Sequence, residues 1–245
     1  MTLLDAFRDI VKHTSSLGFI DMVKIVGTEE DAKVESIDAD KTVVIFGSMY
    51  QPIPDIDTTV GLSRLGILKG FMDLHSASSV TVVKETRSGQ EIPTELRFDD
   101  GASSVASYRF MSESMVNEQI KVPPFKGAVW NVSVTPEKKC ISNLAAYQGI
   151  LGGFEKRFTV STKNNTLLFS IGSGPTDRTS IPFAKDITGS LKSQWSYPLT
   201  QVLNILKLVD SSASATVNFS DMGALKIDID SGISKFSYIL PAGKS

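Results

Sequence analysis

The sequence predicts an α+β protein built from two domains that repeat one helix–strand plan. Three observations carry this. Four stretches show helical apolar spacing and start near residues 2, 61, 136 and 198, so the two helices of each half begin about 59 and about 62 residues apart. Almost everything between them is short, β-branched or aromatic, and often alternating. A proline-containing segment without helical or strand period, "MVNEQIKVPPFKGAV" at residues 115–129, separates the halves. The expected layout is a first domain over 1–114, a linker over 115–129 and a second domain over 130–245.

Residues 2–15 place Leu3, Leu4, Phe7, Ile10 and Val11 at three- and four-residue spacing. Residues 61–75, "GLSRLGILKGFMDLH", carry Leu62, Leu65, Leu68 and Met72 on one side. Gly66 and Gly70 weaken that helix by about 1 kcal/mol each against Ala. The third helix begins at "TPEKKCISNLAAYQGIL", with Thr135 as N-cap and Pro136 in the first position. Ile141, Leu144 and Ala145 then share a face. The fourth, "SYPLTQVLNILKLVD", starts alike, with Ser196 or Tyr197 before Pro198, and buries Leu199, Val202, Leu203 and Leu206. Strands are expected at "DKTVVIFGSM", "SSVTVVKET", "TELRFDD", "SVASYRFM", "WNVSVT", "KRFTVSTKNNTLLFSIG", "SATVNFSD" and "ALKIDIDS". Lys163-Asn164-Asn165 and Asp221-Met222-Gly223 read as hairpin tips. The closing "GISKFSYILPAGKS" is an apolar strand, with Ile233, Phe236, Tyr238 and Leu240, that Pro241 stops because it has no N–H to give.

Composition is that of an ordinary globular chain: 245 residues, 41% hydrophobic and 21% charged. A formal net charge of −2 gives no overall basicity to signal nucleic acid. One cysteine, Cys140, excludes an internal disulfide framework and fits a reducing compartment. No apolar run approaches the ~18 residues of a membrane helix, and the N-terminus lacks a signal-peptide layout. The expectation is a cytoplasmic protein with no membrane partner.

The helices depart from this average. Their polar faces hold Arg8, Lys12, Arg64, Lys69, Lys138, Lys139 and Lys207 against Asp5, Asp9, Asp73 and Glu137. The four helices net +3 and the remainder −5. Ordinary solvated faces can look the same. A phosphate-binding reading requires the four helices to face one place, and several subunits sharing a channel to multiply the excess.

At this point the chain resembles a known family. "SRLGILKGF", "IKVPPFKGAVWNVSVTPEKKCISNL", "PLTQVLNILKLVDSSASATVNFSDMGALKIDID" running into "FSYILPA", and the opening "TLLDAFRDIVKHTSSLGFIDMVKIVG" are similar in order and pattern to the DNA sliding clamps. The nearest likeness is to the trimeric DNA polymerase processivity factor of tailed bacteriophages, with the proliferating cell nuclear antigen more distant. The resemblance implies the DNA clamp fold, with two duplicated helix–strand domains per chain and a homotrimeric ring. Helices would line the hole, antiparallel sheets would form the outside, and head-to-tail pairing of edge strands would close it. It implies double-stranded DNA threaded without sequence readout, a tethered DNA polymerase, a clamp loader ATPase complex, other peptide-motif partners and no cofactor. The seven basic residues above would face the DNA. The family plan usually opens with a strand before the first helix; here that strand is absent or very short.

The resemblance also gives the tail a role. In clamps the C-terminal tail and the linker border an apolar groove for partner peptides. Ile239, Leu240, Pro241 and Ala242 match the tail; Val122, Pro123, Pro124 and Phe125 match the linker; Ile37 would add a third wall. Core residues capping their domains are the plain alternative for Phe125 and Leu240.

An enzyme is not expected. His13 and His75 each end a helix and read as solvated partners of the helix dipole. Cys140 falls on the apolar side of the third helix as a small core residue. "GSGPTDRTS" lacks the lysine of a phosphate loop, and "GILGGF" is a helix end rather than a dinucleotide fingerprint. Asp228 and Asp230 alternate on a strand and read as an exposed face rather than a metal site. The rival reading is a β-rich ring-forming structural or virion assembly protein that ignores DNA.

Overall fold

A computed structural model of the chain describes residues 1–75, 79–87, 89–102, 104–175 and 177–243. Ser78, which opens the expected strand "SSVTVVKET", and Thr176, inside "GSGPTDRTS", lie outside the described residues. The chain divides into two compact units. The first comprises Met1–Pro123 together with Ile233–Phe236; the second comprises Pro124–Gly232 and Ser237–Ser245.

The first unit opens with α1 (Leu3–His13). A capping box fixes its start: the Thr2 hydroxyl accepts from the Asp5 N–H at 3.2 Å, and the Asp5 carboxylate accepts from the Thr2 N–H at 3.1 Å. Four antiparallel strands follow, β1 (Met22–Gly27), β2 (Ala32–Ile37), β3 (Val44–Met49) and β4 (Thr59–Ser63), in the sheet order β4-β1-β2-β3. The first residues of β15 (Ser234–Pro241) lie beside β3. Next come α2 (Leu65–Leu74), the antiparallel β5 (Ser79–Arg87), β6 (Gln90–Asp99) and β7 (Val105–Arg109), and α3 (Glu113–Gln119).

The second unit repeats the order. After β8 (Val132–Val134) and α4 (Lys138–Leu151) come β9 (Arg157–Lys163), β10 (Thr166–Ile171), β11 (Thr179–Ala184) and β12 (Trp195–Pro198). Their sheet runs β12-β9-β10-β11, the same topology as β4-β1-β2-β3. Then α5 (Leu199–Leu206) leads into β13 (Ser214–Ser220), β14 (Ala224–Asp230) and the rest of β15. β8 pairs with the outer side of β13. Among the described residues the first unit has no counterpart of β8.

Alternation sets the faces. In β1 and β10, and in the first half of β9, every second residue is buried, so Val23, Ile25, Phe158, Val160, Phe169 and Ile171 point into the cores. Each such side chain contributes roughly 1.5–3 kcal/mol when fully buried. Asn164 and Asn165 both take positive φ (50° and 54°) in the two-residue β9–β10 turn, and Gly223 does so (79°) between β13 and β14.

Four boundaries differ from the sequence reading. Residues 59–63 are strand, so α2 begins only at Leu65. Gly61 is held in that strand by reciprocal bonds with Met111, and a Cβ on it would sit 2.8 Å from Val116. The helix expected from Pro136 starts at Lys138 with Glu137 as N-cap, and Pro198 is the N-cap of α5 rather than its first residue. The segment read as linker begins as α3, whose buried Val116 packs on β4; Ile120 after it is also buried. Pro241 does end β15, but pairing continues past it: the Ala242 N–H donates to the Gly223 carbonyl at 2.8 Å and the Gly243 N–H to that of Ser196 at 2.9 Å.

Candidate DNA-facing and partner-binding surfaces

The basic residues fall into one set per unit. In the first, α1 and α2 pack together and carry Arg8, Lys12, Arg64 and Lys69. Arg8, Arg64 and Lys69 are exposed and Lys12 is half-buried. Arg64 is the N-cap of α2 in the left-handed region (φ 52°). Lys69 meets Asp73 one turn on, at 2.6 Å. In the second unit, Lys138 and Lys139 are exposed at the start of α4 and Lys207 is exposed just beyond α5. Lys138 lies 3.5 Å from Asp210, which brings the start of α4 to the end of α5. Both ion pairs are exposed, and such pairs are worth about 0–1 kcal/mol, so a phosphate can displace either carboxylate.

The two acids of α1 do not oppose this set equally. Asp5 is engaged at the cap, where the Thr2 hydroxyl and N–H hold its carboxyl below the usual range. Asp9 is buried and accepts a hydrogen bond from the Ser234 hydroxyl.

The nine residues matched to a groove divide between the units: Ile37, Val122 and Pro123 belong to the first and the other six to the second. Ile37, at the end of β2, and Val122 are half-buried; Pro123, Pro124 and Pro241 are exposed; Ala242 is half-buried. Phe125 is 39% exposed, with its ring stacked on Trp130 at 6.1 Å and 26°. The Lys226 ammonium lies over the Trp130 ring, 5.5 Å from its centroid. Ile239 is nearly buried, and Leu240 is fully buried. Leu240 is therefore a core side chain, and truncating it tests packing rather than a surface.

Other expectations change on inspection. His13 is not solvated: it is buried, stacked on Phe236 with centroids 4.4 Å apart, and burial pushes its imidazole down to about 3. His75 is buried as well, 6.0 Å from Phe98. Cys140 is only half-buried, and its thiol is pushed up by partial burial and by Glu137. Asp228 is held by Lys226 at 2.8 Å, by the Ser237 hydroxyl at 2.5 Å and by the Asn218 amide at 3.3 Å. Among the described residues no group of three acidic, histidine or cysteine side chains is placed to hold a metal. No helix is long and apolar enough to cross a membrane.

Sequence reasoning missed one surface. Tyr147, Ile150 and Phe154 form an exposed apolar stripe down α4 and past its end. The signal was present in "YQGILGGF", where apolar residues recur at three- and four-residue spacing beyond the buried Ile141 and Leu144.

No family model matches the sequence, and no curated protein does. Solved structures do match. A. fulgidus PCNA, in a complex with the C-terminal region of FEN-1, superposes with a TM-score of 0.72 at 11% identity, over 100% of this chain and 97% of that one. The chain has the PCNA fold. PCNA from Thermococcus kodakaraensis gives 0.71 at 11% identity over 97% of each chain. Proliferating cellular nuclear antigen from Entamoeba histolytica gives 0.68 at 10% identity, over 97% of this chain and 95% of that one. The likeness thus spans both units, with few residues in common.

Proposed function

We propose that the protein is a DNA polymerase sliding clamp, of the kind that serves replication of a tailed bacteriophage in its host's cytoplasm. Three copies close head-to-tail into a ring around double-stranded DNA. The observation that carries this reading is the two-unit PCNA fold at nearly full length, together with a basic set on the helix pair of each unit. The ring holds DNA topologically. Arg8, Lys12, Arg64, Lys69, Lys138, Lys139 and Lys207 attract phosphates without reading bases, so the protein slides and its hold on DNA weakens with salt. The polymerase, a loader ATPase complex and other partners dock a short peptide against Ile37, Val122, Pro123, Pro124, Phe125, Ile239, Pro241 and Ala242, with Leu240 as the core support beneath.

Retention on DNA tests the reading. Protein assembled on a closed circular duplex is expected to stay through a high-salt wash and to be released once the circle is cut. Equal release from intact and cut circles overturns it. The groove is tested separately: Phe125→Ala is expected to weaken polymerase stimulation while leaving the oligomer's mass unchanged, and full stimulation would remove Phe125 from the site.

A further inference from the structure

The two units repeat residue by residue as well as element by element. Phe7, Ile10 and His13 on α1 keep the spacing of Ile141, Leu144 and Tyr147 on α4, which sets Asp9 against Asn143. Between β4 and β12 a bridge fixes the match. Gly61 in β4 pairs with Met111, two residues past β7, and Ser196 in β12 pairs with Gly243, two residues past β15. Val60 and Trp195, each one residue earlier, therefore hold the same place. Val60 lies opposite Ile25 of β1 and Trp195 opposite Val160 of β9.

In the second unit an indole fills that place. The Trp195 Nε1–H donates to the Asp221 carbonyl at 3.0 Å, and a Cβ on Gly223, in the β13–β14 turn, would sit 3.4 Å from the ring. In the first unit valine leaves the place open. A cleft of about 550 Å³ lies between Val60, the β5–β6 hairpin and Met111, within the roughly 300–1,000 Å³ of ligand sites. Val60, Ile92 and Met111 give it apolar walls. Of its charged lining, Asp57 meets Lys84 at 3.4 Å and Arg87 meets Glu85 at 2.8 Å. Glu91 and Glu113 are exposed and make no ion pair among the described residues, so the mouth is net acidic.

We propose that this cleft docks a tryptophan side chain of a partner protein, with a lysine or arginine beside it in the partner's sequence. The chain's own Trp195 shows what the place holds in the repeat. The walls take the ring, and the basic neighbour meets Glu91 and Glu113. The Thr86 hydroxyl donates to Oε1 of Glu91 at 2.6 Å, which leaves Oε2 to accept the indole N–H. A nucleobase would suit the walls, but its phosphates would face the same two carboxylates, and like charges in contact oppose binding. The site lies wholly within the first unit and uses neither the basic helix faces nor the residues of the linker and tail.

Fluorine NMR of the peptide acetyl-Lys-Trp-Lys-amide, made with fluorotryptophan and titrated with the full chain, tests the site. Wild type is expected to shift and broaden the signal saturably, and the Glu-Trp-Glu peptide to bind about threefold or more weakly, by a margin that shrinks with salt. Val60→Trp fills the cleft as Trp195 does and is expected to abolish binding with unchanged circular dichroism. Ile92→Arg, on the opposite wall, is expected to do the same and reads the site should Val60→Trp fail to fold. Phe125→Ala is expected to bind the peptide as wild type does, which separates this cleft from the groove. No saturable shift in wild type, or full binding in either folded cleft variant, overturns the proposal. Displacement of the peptide by deoxyadenosine monophosphate would give the cleft to a base and overturn the protein partner. Each of these failures leaves the clamp reading intact, since that reading stands or falls on retention by closed circles.

Discussion

The two units solve one topology with opposite finishes on their first helix. Around α1 the chain has its own late segment to bring in, so the helix can carry Asp9 and His13 into the interior, where Ser234 donates to Asp9 and Phe236 stacks on His13. Around α4 no such segment exists among the described residues, and the same places hold Asn143 and Tyr147, which tolerate water. A buried carboxylate is tolerable only where a donor is guaranteed, because an unmet buried polar group costs about 1–3 kcal/mol. Side-chain choice thus records where the chain has a cover of its own to bring and where it leaves the helix face to water.

The comparison breaks first, and by the most, at Phe236. It is fully buried beneath His13, so Phe236→Ala is expected to lower unfolding free energy by about 3–5 kcal/mol, read from urea midpoints. Tyr147→Ala, at the matching and exposed place, is expected to change stability by no more than about 0.5 kcal/mol. Equal losses at the two positions would mean that α4 is already covered within one chain. A step smaller, Ser234→Ala takes the hydroxyl from Asp9 and should cost about 1–3 kcal/mol, whereas Asn143→Ala should be near neutral.

Acid sharpens the same contrast. The ordinary His value is 6.5; burial first, and Lys12 second, push His13 to about 3 in the folded chain. Asp9 Oδ1, 3.7 Å from Nε2, pulls the other way, but its second oxygen already accepts from Ser234, and burial prevails. Between these values the unfolded chain binds a proton that the folded chain refuses, so this contribution is full above pH 6.5 and declines as pH falls toward 3. Stability measured against pH should therefore fall more steeply in wild type than in His13→Phe across that window. Parallel curves would show that His13 takes its proton in the folded state.

Much of the fold was legible from local pattern: four helices, the duplicated order, and the tips at Asn164-Asn165 and Gly223 all follow from spacing and turn chemistry. What escaped depends on distant partners. β4 hid inside an apolar run because Leu62 and Leu65 fit either period, and it is pairing with the distant β1, from Met22 opposite Ser63 to Val26 opposite Thr59, that makes residues 59–63 a strand. α3 buries a single side chain, Val116, too few for a period. His13 read as a solvated helix end because its cover lies at Phe236, near the other end of the chain. Of the candidate site residues, the lysines and arginines are proposed from charge alone, but nothing local separates the buried Leu240 from its exposed neighbour Pro241.

The smallest expected effect concerns DNA. Lys138 and Lys139 open α4 on its exposed side, and Lys138 already leans on Asp210, so replacing both by Ala should leave stability within about 0.5 kcal/mol. Affinity for duplex DNA, measured across a salt series, should fall modestly, with the slope of log K against log salt becoming shallower by roughly 0.9 for each phosphate that is no longer neutralised. Arg8 and Lys12, on the matching helix of the first unit, provide the comparison. If both helices face one channel, Arg8→Ala with Lys12→Ala should shift the slope in the same direction. An unchanged slope for one pair alone would place only the other helix against DNA, and would separate the units by function as their first helices are already separated by cover.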